Sequence, residues 1–122
     1  MHLNIRSLPK HFDDLISLLH SLNHNFSVIG LSETWLRSNS CMNQFNLSGY
    51  ILLSQNRVDK IGGGVALYIS SDIHYIPRPD LDRIGKGCFE SMFVEIISPN
   101  HTKNIFVGVL YKAPAVNFEN FF

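Results

Sequence analysis

The sequence predicts a mixed domain of the α/β (α+β) class, and three observations support this prediction. The apolar run at 26–31 has the length and composition of a strand that is buried on both faces. The segment before it repeats apolar residues at the three- and four-residue spacing of an amphipathic helix. Further short apolar stretches after residue 64 are bounded by glycine, proline and polar residues, as strands usually are.

Composition indicates a packed core within a single domain. The chain has 122 residues, of which 45% are hydrophobic and 16% are charged, a balance typical of folded rather than disordered chains. The formal net charge is +0, so no overall field attracts nucleic acid. This counts mildly against DNA or RNA binding, although local basic patches remain compatible with it.

The two cysteines and the hydropathy pattern set expectations for the cellular location. Cys41 and Cys88 have neither metal-ligand spacing nor the density of a disulfide framework, which favours a reduced intracellular setting, nuclear or cytoplasmic. No apolar run approaches the roughly 20 residues of a membrane span. The polar, basic start at 1–10 is unlike a signal peptide. We therefore expect no membrane association.

The first third of the chain reads as strand, helix and strand. Residues 2–6 resemble the end of a strand, and Pro9 suits the first turn of a helix. The helix should end at 23–25, directly before the strand at 26–31. One buried helical face is predicted to comprise Phe12, Leu15, Ile16, Leu19 and Leu22. Such a βαβ unit has two parallel strands joined by a right-handed crossover.

This arrangement brings two distant polar residues to one rim. Asn4 ends the first strand, and Glu33 directly follows the second, beside the only tryptophan, Trp35. A carboxylate at the carboxyl end of a buried strand is well placed to hold a metal or ligand, since α/β sheets open their crevices there. Two plainer interpretations stay open: Glu33 as an ordinary loop residue, and Asn4 as a turn residue.

The remaining chain reads mainly as strands. They are predicted at 49–53, 65–70, 73–76, 89–97 and 105–111. In the run at 89–97, Glu90 shares one alternating face with Met92 and Val94. The three glycines at 62–64 lack the lysine and hydroxyl residue of a nucleotide P-loop and precede a strand, so a tight hairpin turn is predicted there.

Four motifs together resemble one protein family. They are HLNIRSL at the start, LSETWL, GGGVALYI and VGVLYKAP, in this order. They are similar to segments of the apurinic/apyrimidinic-type endonuclease domain of non-LTR retrotransposons, especially the Jockey-like branch, within the endonuclease/exonuclease/phosphatase superfamily. The resemblance implies that 1–122 is the N-terminal part of one such domain. It also implies a partial four-layer α/β sandwich with two packed sheets, lacking its second half.

The resemblance further implies a catalytic site that contains Asn4, Glu33 and Tyr111. Glu33 matches the metal-binding glutamate, and Asn4 the asparagine that helps arrange metal and phosphate. Tyr111 matches a tyrosine that contacts the scissile phosphate; taken alone it could equally be a core aromatic. The implied ion is Mg²⁺, a hard cation that takes one or two carboxylates and completes its shell with water and phosphate oxygens. An amide and a phenol add neutral hydrogen bonds without repelling the phosphate.

Two segments that the family uses later in its sequence do not occur here. They are an aspartate–asparagine pair and a serine–aspartate–histidine segment, which activate water and stabilise the leaving group. General base catalysis alone is typically worth about 10²–10⁴-fold. We therefore expect the N-terminal part of a Mg²⁺-dependent DNA endonuclease, from a retrotransposon polyprotein with reverse transcriptase, that is inactive as this fragment.

Three alternatives remain from the sequence. The chain could be a non-catalytic pseudogene remnant, an interaction module, or part of a phosphomonoesterase of the same superfamily. For the leading interpretation the expected partner is DNA, with no small-molecule cofactor. The sequence leaves the oligomeric state open.

Overall fold

A computed structural model of the chain describes residues 1–37, 40–55, 63–82, 89–100 and 103–112. These residues form one α-helix, seven strands and two short 3-10 helices. The helix is α1 (Leu8–Leu22), and the strands are β1 (His2–Asn4), β2 (Val28–Ser32), β3 (Tyr50–Gln55), β4 (Val65–Ser70), β5 (Tyr75–Pro77), β6 (Phe89–Ile96) and β7 (Ile105–Lys112). The 3-10 helices are Met42–Phe45 and Pro79–Leu81. The predicted mixture of helix and strand is confirmed.

The strands form two sheets. The first has the order β1-β2-β4-β3, and the second has the order β5-β6-β7. Strands β1 and β2 are parallel, with Asn4 opposite Ser32, whereas all other pairs are antiparallel. The predicted βαβ unit is therefore present.

Local signals account for both ends of α1. The Ser7 side chain accepts a hydrogen bond from the Lys10 amide at 3.3 Å, and Pro9 lies in the first turn, where its missing N–H costs nothing. At the other end Asn23 adopts the left-handed conformation, with φ of 47°, and its amide donates to the Leu19 carbonyl. Of the predicted buried face, Leu15 is buried, and Phe12, Ile16 and Leu19 are partly buried against the core. Leu22, the last helical residue, is 47% exposed.

The first sheet lies between the helix and the second sheet. Because successive side chains of a strand point to opposite faces, β2 and β4 contribute to two cores. The helix-facing core includes Leu8, Leu15, Ile29, Leu31, Ala66 and Tyr68. The core between the sheets consists of Val65, Leu67, Ile69, Met92, Val94 and Val109. The part of the chain that the structure describes thus forms three layers: helix, sheet and sheet.

Two details of the second half bear on the sequence prediction. The stretch at 73–76, expected to continue the preceding strand or to form a paired edge, contributes to β5, which pairs with β6 at the edge of the second sheet. Pro77 ends it at the sheet edge, where a missing backbone donor is tolerated. Strands β3 and β4 pair as a hairpin whose paired ends, Gln55 and Val65, are joined by residues 56–64, a longer connection than the predicted tight hairpin turn. Residues 56–62 lie outside the described residues.

Within the described ranges, no helix is long and apolar enough to cross a membrane.

Candidate functional site

One end of the two packed sheets gathers polar residues from both. Ser32, at the carboxyl end of β2, is opposite Val65, at the amino end of β4. In the second sheet, Glu90 near the start of β6 is opposite Tyr111 near the end of β7. Hydrogen bonds from Tyr111 to Glu33 and from Gly64 to Glu90 join the two sheets at this end, which we call the rim.

Glu33 and Tyr111 meet across the rim. The Tyr111 hydroxyl donates a hydrogen bond of 2.9 Å to Glu33 Oε1, joining residues 78 positions apart in the chain. The other carboxylate oxygen, Oε2, lies 3.9 Å from Arg6 Nε. The Glu33 side chain is 17% exposed and that of Arg6 is 78% exposed, so solvent weakens this ion pair. The Glu33 carboxylate is therefore oriented by the phenol and still reachable from solvent.

The backbone at the rim is strained. Arg6, Ser7, Glu33 and Trp35 have φ values of 47°, 88°, 54° and 56°, in the left-handed region that side chains disfavour. Ser7 is also the N-cap of α1, and the other described non-glycine residue of this kind, Asn23, is its C-cap. Each such residue costs on the order of 1–3 kcal/mol and persists only where surrounding contacts impose it. Such strain concentrates at active sites and ligand clamps.

The turn after β2 is held on one side by the start of the helix. The Ser7 amide donates to the Glu33 carbonyl at 2.8 Å, and the Leu8 amide donates to the Thr34 carbonyl, also at 2.8 Å. These bonds extend the β1–β2 pairing past the ends of both strands. They satisfy two amides in the first helical turn, which lack partners within the helix.

Glycines before β4 hold the other side of this turn. The Thr34 amide donates to the Gly64 carbonyl at 3.2 Å, and the Trp35 amide donates to the Gly63 carbonyl at 2.9 Å. The Gly64 amide in turn donates to Glu90 Oε2 at 2.8 Å. Glu90 is only 1% exposed, so this carboxylate is anchored inside the rim.

Asn4 is brought to the rim without joining this network. It is exposed at the end of β1, and Ser32, its partner in the register, directly precedes Glu33. Among the described residues its side chain makes no hydrogen bond with Glu33 or Tyr111. Of the three predicted site residues, two are thus in contact, and the third lies at the neighbouring strand end.

Sequence reasoning assigned no chemical role to two residues of the rim, Arg6 and Glu90. A signal for Glu90 was available, because this glutamate shares an alternating face with Met92 and Val94, both of which are buried. A charged residue on the apolar face of a strand indicates a specific partner. Arg6 had no such signal, since exposed arginines are common.

The donors at the rim are compatible with Mg²⁺. This ion prefers oxygen ligands, usually needs only one or two carboxylates and keeps several waters. Glu33 supplies a solvent-accessible carboxylate, and Asn4 supplies an exposed amide on the adjacent strand end. No cluster of three or more histidine, cysteine, aspartate or glutamate side chains occurs in the described part of the chain. A hard ion with a mainly aqueous shell does not require one.

No protein-family model matches the sequence, and no curated protein matches it significantly.

Proposed function

We propose that this chain is the N-terminal part of a Mg²⁺-dependent DNA endonuclease of the type found in non-LTR retrotransposons. The observation that carries the proposal is the hydrogen bond between Tyr111 and Glu33, 2.9 Å long. The motif resemblance assigns both residues to one phosphodiester site, and they come from different sheets. Their contact supports that assignment independently of their order in the sequence.

In this proposal each residue has a limited task. Glu33 holds the ion through its carboxylate, and the Tyr111 phenol fixes the orientation of that carboxylate. Asn4, on the adjacent strand end, donates its amide hydrogens to a phosphate oxygen. When bound, Mg²⁺ polarises the phosphate and neutralises negative charge that develops during hydrolysis. Arg6, close to Glu33, adds a positive charge facing the DNA backbone.

The test restores the later half of the domain. The chain is joined to the C-terminal half of an endonuclease domain from such an element, and nicking of supercoiled plasmid is measured with Mg²⁺. We expect nicking that Glu33→Gln lowers by at least about 100-fold, the cost typical of losing one preorganised electrostatic group. The matched control is Glu95→Gln. Glu95 lies on β6 and accepts hydrogen bonds from Arg78 and Asn104, outside the rim network.

Three results would count against the proposal. A folded chimera that does not nick plasmid supports a non-catalytic remnant. Hydrolysis of a phosphomonoester in place of DNA supports the phosphatase alternative. Equal nicking by Glu33→Gln and Glu95→Gln removes Glu33 from the mechanism.

A further inference from the structure

Glu90 is the least expected residue at the rim. A carboxylate that is 1% exposed is costly to bury unless hydrogen bonds compensate it. Its Oε2 accepts the Gly64 amide hydrogen at 2.8 Å, and charge-assisted bonds of this kind are strong. Glu90 is also the register partner of Tyr111, so the two side chains point to the same face of the second sheet. It therefore lies beside Tyr111, the residue that binds Glu33.

We propose that Glu90 is a positioning residue for the rim site, acting on Glu33 through the glycine segment and the strained turn. The proposal depends on the proposed function only for the identity of the site that is positioned. Glu90 fixes Gly64, whose carbonyl accepts the Thr34 amide, and Gly63 accepts the Trp35 amide. Thr34 directly follows Glu33 in the chain. The contacts that begin at Glu90 therefore end next to the residue whose carboxylate binds Tyr111.

Backbone strain explains why such an anchor is needed. Glu33 and Trp35 are held at φ of 54° and 56°, on either side of Thr34. Left-handed conformations at these residues relax unless contacts on both sides oppose relaxation. The helix start holds one side of the turn, and the Gly63–Gly64 segment holds the other. Removing the anchor of the glycine segment releases one side, and Glu33 then turns away from Tyr111.

The chain carries its own reporter for this turn. Trp35 is the only tryptophan, is 40% exposed and donates its amide hydrogen to Gly63. Acrylamide quenching of its fluorescence therefore reports whether the turn is held. Mn²⁺ binding, followed by electron paramagnetic resonance, reports whether Glu33 is oriented to take a divalent ion. If Glu90 contributes only to overall stability, its substitution changes neither the quenching nor the Mn²⁺ binding of the folded protein.

The experiment uses the 122-residue chain and three variants of Glu90. Glu90→Gln keeps an oxygen of the same reach, and we expect quenching and Mn²⁺ affinity close to wild type. Glu90→Ala removes the acceptor, and Glu90→Asp withdraws it by one methylene. For both we expect faster quenching and Mn²⁺ binding weakened by about 10- to 100-fold, the range typical of residues that support metal ligands. The control is Ser91→Ala, which removes the neighbouring buried hydroxyl, bonded to the Leu81 carbonyl, and should change neither signal.

Each outcome decides the proposal. Wild-type quenching and Mn²⁺ affinity in folded Glu90→Ala overturn it. If that variant does not fold, wild-type behaviour of Glu90→Asp overturns it instead. If the wild-type chain binds no Mn²⁺, the proposed function fails, while quenching alone still decides whether Glu90 holds the turn. Faster quenching in Glu90→Asp supports this role, and unchanged quenching refutes it.

Discussion

Two polar clusters of this protein each contain glutamate, but they are built differently. The rim cluster consists of Glu33, Glu90 and Tyr111 with the glycines before β4, and the outer cluster consists of Arg78, Asp80 and Glu95. In the outer cluster, Arg78 donates to Asp80 at 2.7 and 2.9 Å and to Glu95 at 3.0 Å. It also lies over the Phe106 ring, 4.9 Å from the centroid. None of these residues has a positive φ, and the Asp80 side chain is 55% exposed.

The two clusters differ in how strongly the fold constrains them. The rim joins residues 78 positions apart, buries a carboxylate and forces the backbone into left-handed conformations. The outer cluster joins residues at most 17 positions apart, through an exposed Arg78–Asp80 pair and a partly buried Arg78–Glu95 pair, and none of its residues has a positive φ. Exposed pairs contribute little to stability because solvent screens them. If the comparison is right, rim substitutions have large effects and outer substitutions small ones.

The largest effect is expected for Gly64→Ala. A Cβ at Gly64 lies 2.5 Å from Thr34 Oγ1, and φ there is +87°. Gly49 is a matched control, because its φ is +84° and a Cβ there has nothing within 4 Å. Alanine at either site costs about 1 kcal/mol for the backbone conformation, and Gly64→Ala adds about 1–3 kcal/mol for overpacking. Urea denaturation measures both. Equal losses at the two sites would show that the turn and the glycine segment are not tightly packed.

A smaller effect is expected for Tyr111→Phe, which deletes one hydroxyl at the rim. Its 2.9 Å bond to the Glu33 carboxylate joins the two sheets, and a hydrogen bond to a charged group is typically worth about 1.5–3 kcal/mol. Partial exposure of Glu33 places the expected loss near the lower end of this range. A double-mutant cycle with Glu33→Ala, which removes the acceptor, isolates the pair. A coupling energy indistinguishable from zero would mean that the phenol does not orient the carboxylate.

Local patterns were sufficient for much of the fold and for part of the rim. The βαβ unit is predicted by a helical spacing next to a run that is apolar on both faces. Strand β4 is predicted by the short apolar stretch at 65–70. The motif resemblance implies that Glu33 and Tyr111 belong to one site, and in the structure they are in contact. Their roles in catalysis remain predictions.

Local sequence patterns do not predict the contacts between elements that are distant in the chain. Glutamate has no preference for the left-handed conformation that Glu33 adopts, since the partners on both sides of its turn impose it. The glycines at 63 and 64 resemble a turn by composition, but their carbonyls serve the segment after β2, about 30 positions earlier. Strand β5 follows β4 closely yet pairs in the other sheet, because β6 offers it a free edge.

The smallest effect is expected for Asp80→Asn in the outer cluster. Hydrogen bonds from Arg78 lower the pKa of the Asp80 carboxyl below its usual value. A lowered folded-state pKa means that the pair stabilises the fold above the usual pKa of an aspartate and that this contribution is lost as pH falls through the lowered value. Thermal unfolding from pH 7 to pH 2 should therefore show a slightly lower melting temperature for the variant at neutral pH and convergence with wild type in acid. A melting temperature reduced as much as in Gly64→Ala would place an essential contact outside the rim and remove the distinction between the two clusters.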